Sequence, residues 1–330
     1  MDLRQRTKHF GISVILCALL LRLAAEGIFQ QGMAWLLRPE PEPIPTYSET
    51  GRNVRFSLPF WDHVRESPPP VLPLPELPSF SREDAAMAAL YNTSLRQPAL
   101  ETLLETPLAW DLTAGGPAVL ILHTHGTESY TPGEEPYAAT SSYRTLDETR
   151  NMLSIGAAVA EILEENGIGV IHDREIYDYP SYNGAYVRTR EAITNHLAQH
   201  PDIQLVLDLH RDASGTAGKQ LRTEAVVDGQ PSAQLMLVQG TNFETWQENL
   251  SLALKLHVLL EESYPGIMRP LNLRPQRFNQ DLCPGALLVE VGAAGNTRQE
   301  ALRAARILAE AVAALARGTG AEGSQPEQQE

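Results

Sequence analysis

The chain has 330 residues and a formal net charge of -15, which leaves room for one large domain or two small ones. That acidity argues against nucleic acid as a partner, because holding phosphates needs a basic face. Its two cysteines, Cys17 and Cys283, lie far apart in the sequence, so a disulfide framework is excluded.

Residues 1–10 carry Arg4, Arg6 and Lys8, and an apolar run follows from Ile12 to Leu21 that continues less cleanly to about Leu37. The run is shorter than the ~20 residues of a clean membrane span. With its basic flank and no strong small-residue cleavage site, the segment 1–37 reads as a membrane anchor or signal segment, which puts the rest of the chain outside the cytoplasm. Residues 38–116 read as an extracytoplasmic spacer: Pro39, Pro41, Pro43, Pro45, the Pro68–Pro70 triplet, Pro73, Pro75 and Pro78 fix φ and remove backbone donors. Short helical patterns at Ala85–Tyr91 and Leu100–Leu108 fall within that spacer.

From Pro117 the pattern changes to alternating strands and helices. Strands are predicted over Ala118–Leu122, Ile168–Ile171, Leu205–Leu209, Thr223–Val227, Leu235–Gln239 and Leu287–Val291. A helix is predicted over Met152–Glu165, ended by Asn166-Gly167 as a left-handed cap. A second helix runs from Leu250 to Tyr264, stopped by Pro265-Gly266. Thr297 to Glu300 form a capping box that opens a third, to about Ala316. Residues 318–330 form a polar tail expected to be disordered. The alternation predicts an α/β domain over 117–317, with a mostly parallel central sheet and helices on both faces.

Three of these strands end in chemistry. Leu120–Leu122 runs into His123-Thr124-His125-Gly126-Thr127-Glu128, Leu205–Leu209 into His210-Arg211-Asp212, and Leu287–Val291 contains Glu290. Ligands in open α/β sheets sit at the carboxyl ends of strands, so these tips are expected to converge on one divalent ion with imidazole and carboxylate ligands. Strand geometry would put His123 and His125 on one face. A carboxylate inside a buried strand is costly unless paired or near a metal, which makes Glu290 the expected general base. Asp147, Glu148 and His172 are further candidates. Tyr182, Asn183, Tyr186, Arg188, Arg277, Asn279 and Gln280 lie in segments read as loops and are expected to line a substrate groove. The chain has no Gly-Lys-Ser phosphate loop, no Gly-x-Ser-x-Gly elbow and no His-Glu-x-x-His.

Read together, the segments His123–Tyr130, Asp147–Asn151, Gly167–Asp178, Tyr182–Tyr186, Asp208–Asp212, Asn279–Asp281 and Gly285–Asn296 resemble the stage II sporulation protein P family. The resemblance spans about residues 117–316. It implies a fold like the zinc-dependent N-acetylmuramoyl-L-alanine amidases, Zn2+ as cofactor and peptidoglycan as substrate, in engulfment during sporulation. It also implies stage II sporulation proteins D and M as partners and a place at the sporulation septum. Carried onto this chain, it makes His125 and His210 zinc ligands and Glu290 the catalytic carboxylate. Glu128 is the expected third ligand, with His123, Asp147 and Glu148 as alternatives. Arg211 and Arg277, with Tyr182, Asn183 and Asn279, are expected to bind the substrate, the arginines taking stem-peptide carboxylates. Two other functions fit the same features: a non-catalytic peptidoglycan-binding scaffold, and a zinc peptidase acting only on stem peptides.

Overall fold

The computed structural model describes residues 80–108, 110–132, 142–216 and 219–322. The expected anchor at 1–37 and the spacer as far as residue 79 lie outside them. No helix among the described residues is long and apolar enough to cross a membrane.

After a 3-10 turn at Arg82–Met87 come the strand β1 (Leu90–Asn92) and the helix α1 (Leu100–Glu105). Both belong to the packed unit, although they fall in the stretch read as spacer. β1 pairs in parallel with a later strand at the sheet edge, and Leu103 and Leu104 of α1 are buried. The Lys255 ammonium donates to the carbonyls of Leu103 and Leu104, which completes the end of this short helix. The packed part therefore starts well before residue 117.

The core elements then follow: β2 (Pro117–Leu122), α2 (Met152–Glu165), β3 (Gly169–His172), α3 (Ala185–Gln199) and β4 (Leu205–Asp212). A minimal ladder, β5 (Gly215–Thr216) with β6 (Lys219–Gln220), and a hairpin, β7 (Glu224–Val227) with β8 (Gln230–Ala233), stand apart from the main sheet. The chain closes with β9 (Leu235–Gly240), α4 (Trp246–Ser263), β10 (Leu271–Arg274), β11 (Ala286–Ala293) and α5 (Arg298–Glu322). The last helix runs on into the segment read as polar tail.

The seven-stranded sheet has the order β1-β10-β9-β11-β4-β2-β3. Every neighbouring pair is parallel except β11 with β9, which is antiparallel. One face carries α2, α4 and α5 over residues such as Ile121, Leu207, Leu237 and Val289. The other carries α3, whose Ile193 and Leu197 cover Leu120, Leu122 and Val206. The expected mostly parallel sheet, covered on both faces, is the observed architecture.

Local chemistry accounts for the ends of α2. Asn151 caps its start by accepting from the Leu153 amide, and Gly167, at φ 77, supplies the left-handed turn after it. Helix α3 corrects the sequence reading, which placed Tyr186 and Arg188 in a loop. It buries only Ala185, Thr189 and Ile193. That is one small or apolar group per turn, one of them polar, too thin a stripe to show helical periodicity.

Candidate metal centre

The carboxyl end of β2 splits its two histidines. β2 stops at Leu122, and residues 124–127 form a turn, so the alternation of a strand no longer applies. His123 lies under α2, its Nδ1 3.1 Å from the Leu209 carbonyl and its Nε2 3.0 Å from Nε2 of His172. Burial pushes His123 down to about 4 and His172 down to about 2, so both rings are neutral at pH 7. Nδ1 of His123 faces a carbonyl and must carry the proton; Nε2 then accepts from His172. The expectation that His123 and His125 share one face fails because the strand ends before both of them, at Leu122.

His125 turns to the opposite side. Its carbonyl accepts from the Glu128 amide at 3.1 Å, and this tight turn sets the two side chains next to each other. Nδ1 of His125 is 3.6 Å from Glu128 Oε1, and Nδ1 of His210 is 3.6 Å from Glu128 Oε2. One donor atom from each of these three buried residues lies within 4.8 Å of the others. Two imidazoles and a carboxylate at that spacing suit a divalent cation of zinc type.

The environment keeps the carboxylate charged and aimed. Burial alone would raise the Glu128 pKa. The Arg211 guanidinium, the imidazoles of His125 and His210, and Arg144 outweigh it and hold the carboxyl well below the usual range. Arg144 reaches Glu128 Oε1 at 2.9 Å and Asp178 at 2.7 Å. The Arg211 amide donates to Glu128 Oε2 at 3.2 Å, while its guanidinium donates to the carbonyls of Ser129 and Ser142. On the far side of His210, Nε2 lies 2.9 Å from Asp208 Oδ1. Asp208 in turn accepts from the Thr124 amide and hydroxyl. Burial works against a charged His210, but Asp208 and Glu128 dominate and raise its pKa well above that of a free imidazole. A carboxylate behind an imidazole whose other nitrogen faces the site is the arrangement that orients a metal-binding histidine.

Glu290 on β11 is the register partner of His210 on β4. The side chain is half-buried, and its enclosed Oε2 lacks a hydrogen-bond partner among the described residues. Burial pushes its carboxyl up to about 8, helped by Glu128 and Asp212 and opposed by His210 and Arg211. It lines a groove of about 520 Å³ on the face of the sheet that α3 leaves uncovered. Above the donor set, the Tyr182 ring stacks on His125 with centroids 4.5 Å apart, and Arg144 lies 4.8 Å over the same tyrosine ring.

Of the candidates from sequence, His125, Glu128, His210 and Glu290 therefore come together. Asp147 and Glu148 do not join them: Asp147 accepts from the amide and hydroxyl of Thr149 in the turn before α2, and exposed Glu148 pairs with Arg174. Arg211 is 2% exposed, with its guanidinium bound to Glu128 and to carbonyls, so it braces the site and does not face a substrate. Asn279 donates to the Tyr186 carbonyl, Arg188 pins the carbonyls of Tyr177, Ser181 and Asn183, and Gln280 bridges the Val238 carbonyl and the Gly240 amide. These three position backbone. Arg277 pairs with Asp281 at 3.6 Å. Sequence reasoning missed Arg144 and Asp178, which sit in irregular segments without periodicity. Asp208 had a usable signal, since it stands two residues before His210 on a strand and so on the same face.

A family model, Stage II sporulation protein P (SpoIIP), matches residues 77–313. Stage II sporulation protein P of Bacillus subtilis (strain 168) is 29% identical over 327 residues, covering 94% of this chain and 75% of that protein. Among solved structures, N-acetylmuramoyl-L-alanine amidase AmiC2 of Nostoc punctiforme aligns with a TM-score of 0.35 at 16% identity, over 64% of this chain and 100% of that one. The apo N-acetylmuramyl-L-alanine amidase Ami1 of Mycobacterium abscessus aligns with a TM-score of 0.39 at 15% identity, with the same coverage.

Proposed function

The chain belongs to the Stage II sporulation protein P family, and from that premise we propose that it is a zinc-dependent peptidoglycan hydrolase cutting the amide between N-acetylmuramic acid and L-alanine. The observation that carries this reading is Glu290: a half-buried carboxyl with one enclosed, unpartnered oxygen, in register with one member of a buried His-Glu-His donor set. An unpaired carboxyl in that position destabilises the fold, which a catalytic role explains.

Zinc held by His125, Glu128 and His210 supplies Lewis acidity, acidifying water and polarising a carbonyl. Glu290 takes the proton from the attacking water and delivers it to the amide nitrogen as the bond breaks. Its raised pKa suits a group that must both accept and release a proton near neutral pH. Arg211 and Arg144 keep Glu128 deprotonated and aimed. The Asp208 carboxylate, 2.9 Å from His210 Nε2, favours a proton on that nitrogen and would leave Nδ1, which faces Glu128, free for an ion. Tyr182 covers His125 and excludes water from that side. The same reading places the enzyme outside the cytoplasm at the sporulation septum, anchored through residues 1–37 and working with stage II sporulation proteins D and M.

The test is digestion of purified sacculi by the full chain with added zinc, followed by mass analysis of the soluble products. Free peptides beginning with an unblocked L-alanine support the amidase. Shortened peptides still attached to sugar would reassign the enzyme as a stem-peptide peptidase. Binding without any release would leave a scaffold and overturn the hydrolase.

A further inference from the structure

The groove beside Glu290 holds two more orphaned polar atoms. Asn272 Oδ1 and Arg274 Nε are buried without a hydrogen-bond partner among the described residues, as is Glu290 Oε2, and all three residues line this one groove. Their placement follows from strand alternation. In β10, Leu271 and Leu273 enter the core, so Asn272 and Arg274 turn to the other face. That face is floored by Met236, Val238 and Leu288, with Phe278 packed on them. The second guanidinium in the groove, that of Arg269, is neutralised by Asp212 at 2.8 Å. Arg274 makes no ion pair among the described residues, which leaves its charge uncompensated there.

Orphaned buried polar atoms are costly; three sharing one groove point to a ligand that satisfies them. We propose that Arg274 and Asn272 form a subsite for the peptide arm of the substrate: Arg274 binds a carboxylate of that arm, and Asn272 accepts from one of its backbone amides. The inference rests on the hydrolase reading and names what that enzyme grips besides the scissile bond. Register sets the spacing. Glu290 pairs with Met236, whereas Arg274 pairs with Gly240 at the other end of β9. By strand geometry the two backbones lie on the order of 15 Å apart, a distance covered by a few residues of extended chain at ~3.3 Å each. An extended peptide leading away from the cleaved amide along the apolar floor therefore brings a carboxylate, not a sugar, to Arg274. A guanidinium fork suits that group.

The test compares wild type, Arg274→Gln and Arg274→Lys on two soluble substrates: a muramoyl-tripeptide with free carboxylates and the same compound with every carboxylate amidated. A lost charge-assisted hydrogen bond predicts that Arg274→Gln raises KM for the free-carboxylate substrate about 10- to 100-fold, with the loss falling on KM rather than kcat. Arg274→Lys recovers part of it. On the amidated substrate the gap between wild type and Arg274→Gln closes. Equal KM values for wild type and Arg274→Gln on the free-carboxylate substrate overturn the subsite, and so does an equal loss on both substrates. If wild type cleaves neither substrate nor sacculi, the hydrolase reading itself has failed, an outcome distinct from these.

Discussion

His210 on β4 and Glu290 on β11 stand opposite each other in a parallel ladder, and both side chains leave the sheet on the face away from α2. One is part of the donor set and the other is not. That division predicts separable phenotypes. Glu290→Gln is expected to cut turnover on sacculi by about 100- to 10,000-fold, the range for a lost general base, with zinc content per chain unchanged. Turnover and metal content are measured on the same preparation. Loss of zinc alongside activity would make Glu290 a ligand.

The same carboxyl gives the metal-free protein a pH signature. Glu290 titrates near 8 in the fold, against an ordinary 4.5. A folded pKa above the unfolded one means that the folded state keeps a proton the unfolded chain releases. Its contribution is most favourable below pH 4.5 and is lost as pH rises toward 8, by on the order of 4 kcal/mol or less. Glu290→Gln removes this loss. In chelator, the melting temperature of the variant should exceed that of wild type by a margin that widens from pH 5 to pH 8. A margin that stays constant with pH would show that burial of the charge is not what sets it.

The ring of His210 offers a third prediction. Asp208→Asn keeps the shape of the side chain but removes the charge behind His210 Nε2. Zinc affinity should fall about 10- to 100-fold, the usual effect of losing the group that orients a metal-binding imidazole. His210→Ala and Glu128→Gln should lose the metal outright. Glu148→Ala, which touches only an exposed salt bridge, should titrate like wild type in a competition assay against a zinc-binding dye.

What made these residues legible was the combination of apolar runs and where they stop. β2, β4 and β11 are buried strands with His or Glu at their ends, and they are neighbours in the sheet, so their tips meet. What was not legible depends on irregular backbone. The turn after Leu122 sends His123 and His125 to opposite sides, and no periodicity reports a turn of that kind. Arg211 looked like a substrate-binding cation because a charge beside a site histidine usually faces solvent. In a β-strand, however, it alternates with His210 and points the other way, where Ser129 and Ser142 satisfy it. β1 escaped notice because three residues at a sheet edge leave almost no pattern, and its pairing with β10 spans some 180 positions of sequence.

Helix α2 carries a glycine whose replacement should behave against the ordinary rule. Alanine for glycine inside a helix normally stabilises by about 1 kcal/mol. At Gly156 the added Cβ would sit 2.5 Å from Nε2 of His123 and 2.5 Å from Nε2 of His172. Neither ring is free to yield: the two bond each other, and His123 is also tied to the Leu209 carbonyl. Overpacking of this kind costs about 1–3 kcal/mol, so the net sign reverses. Gly156→Ala should lower the melting temperature by several degrees, on a scale of about 2–4 °C per kcal/mol for a domain of this size. The displaced His123 leads directly into the turn that carries His125 and Glu128, so zinc affinity should fall in the same variant. Thermal unfolding with and without zinc reads both effects. A variant as stable as wild type would mean that the paired imidazoles move aside cheaply, and that the packing under α2 does not hold the turn in place.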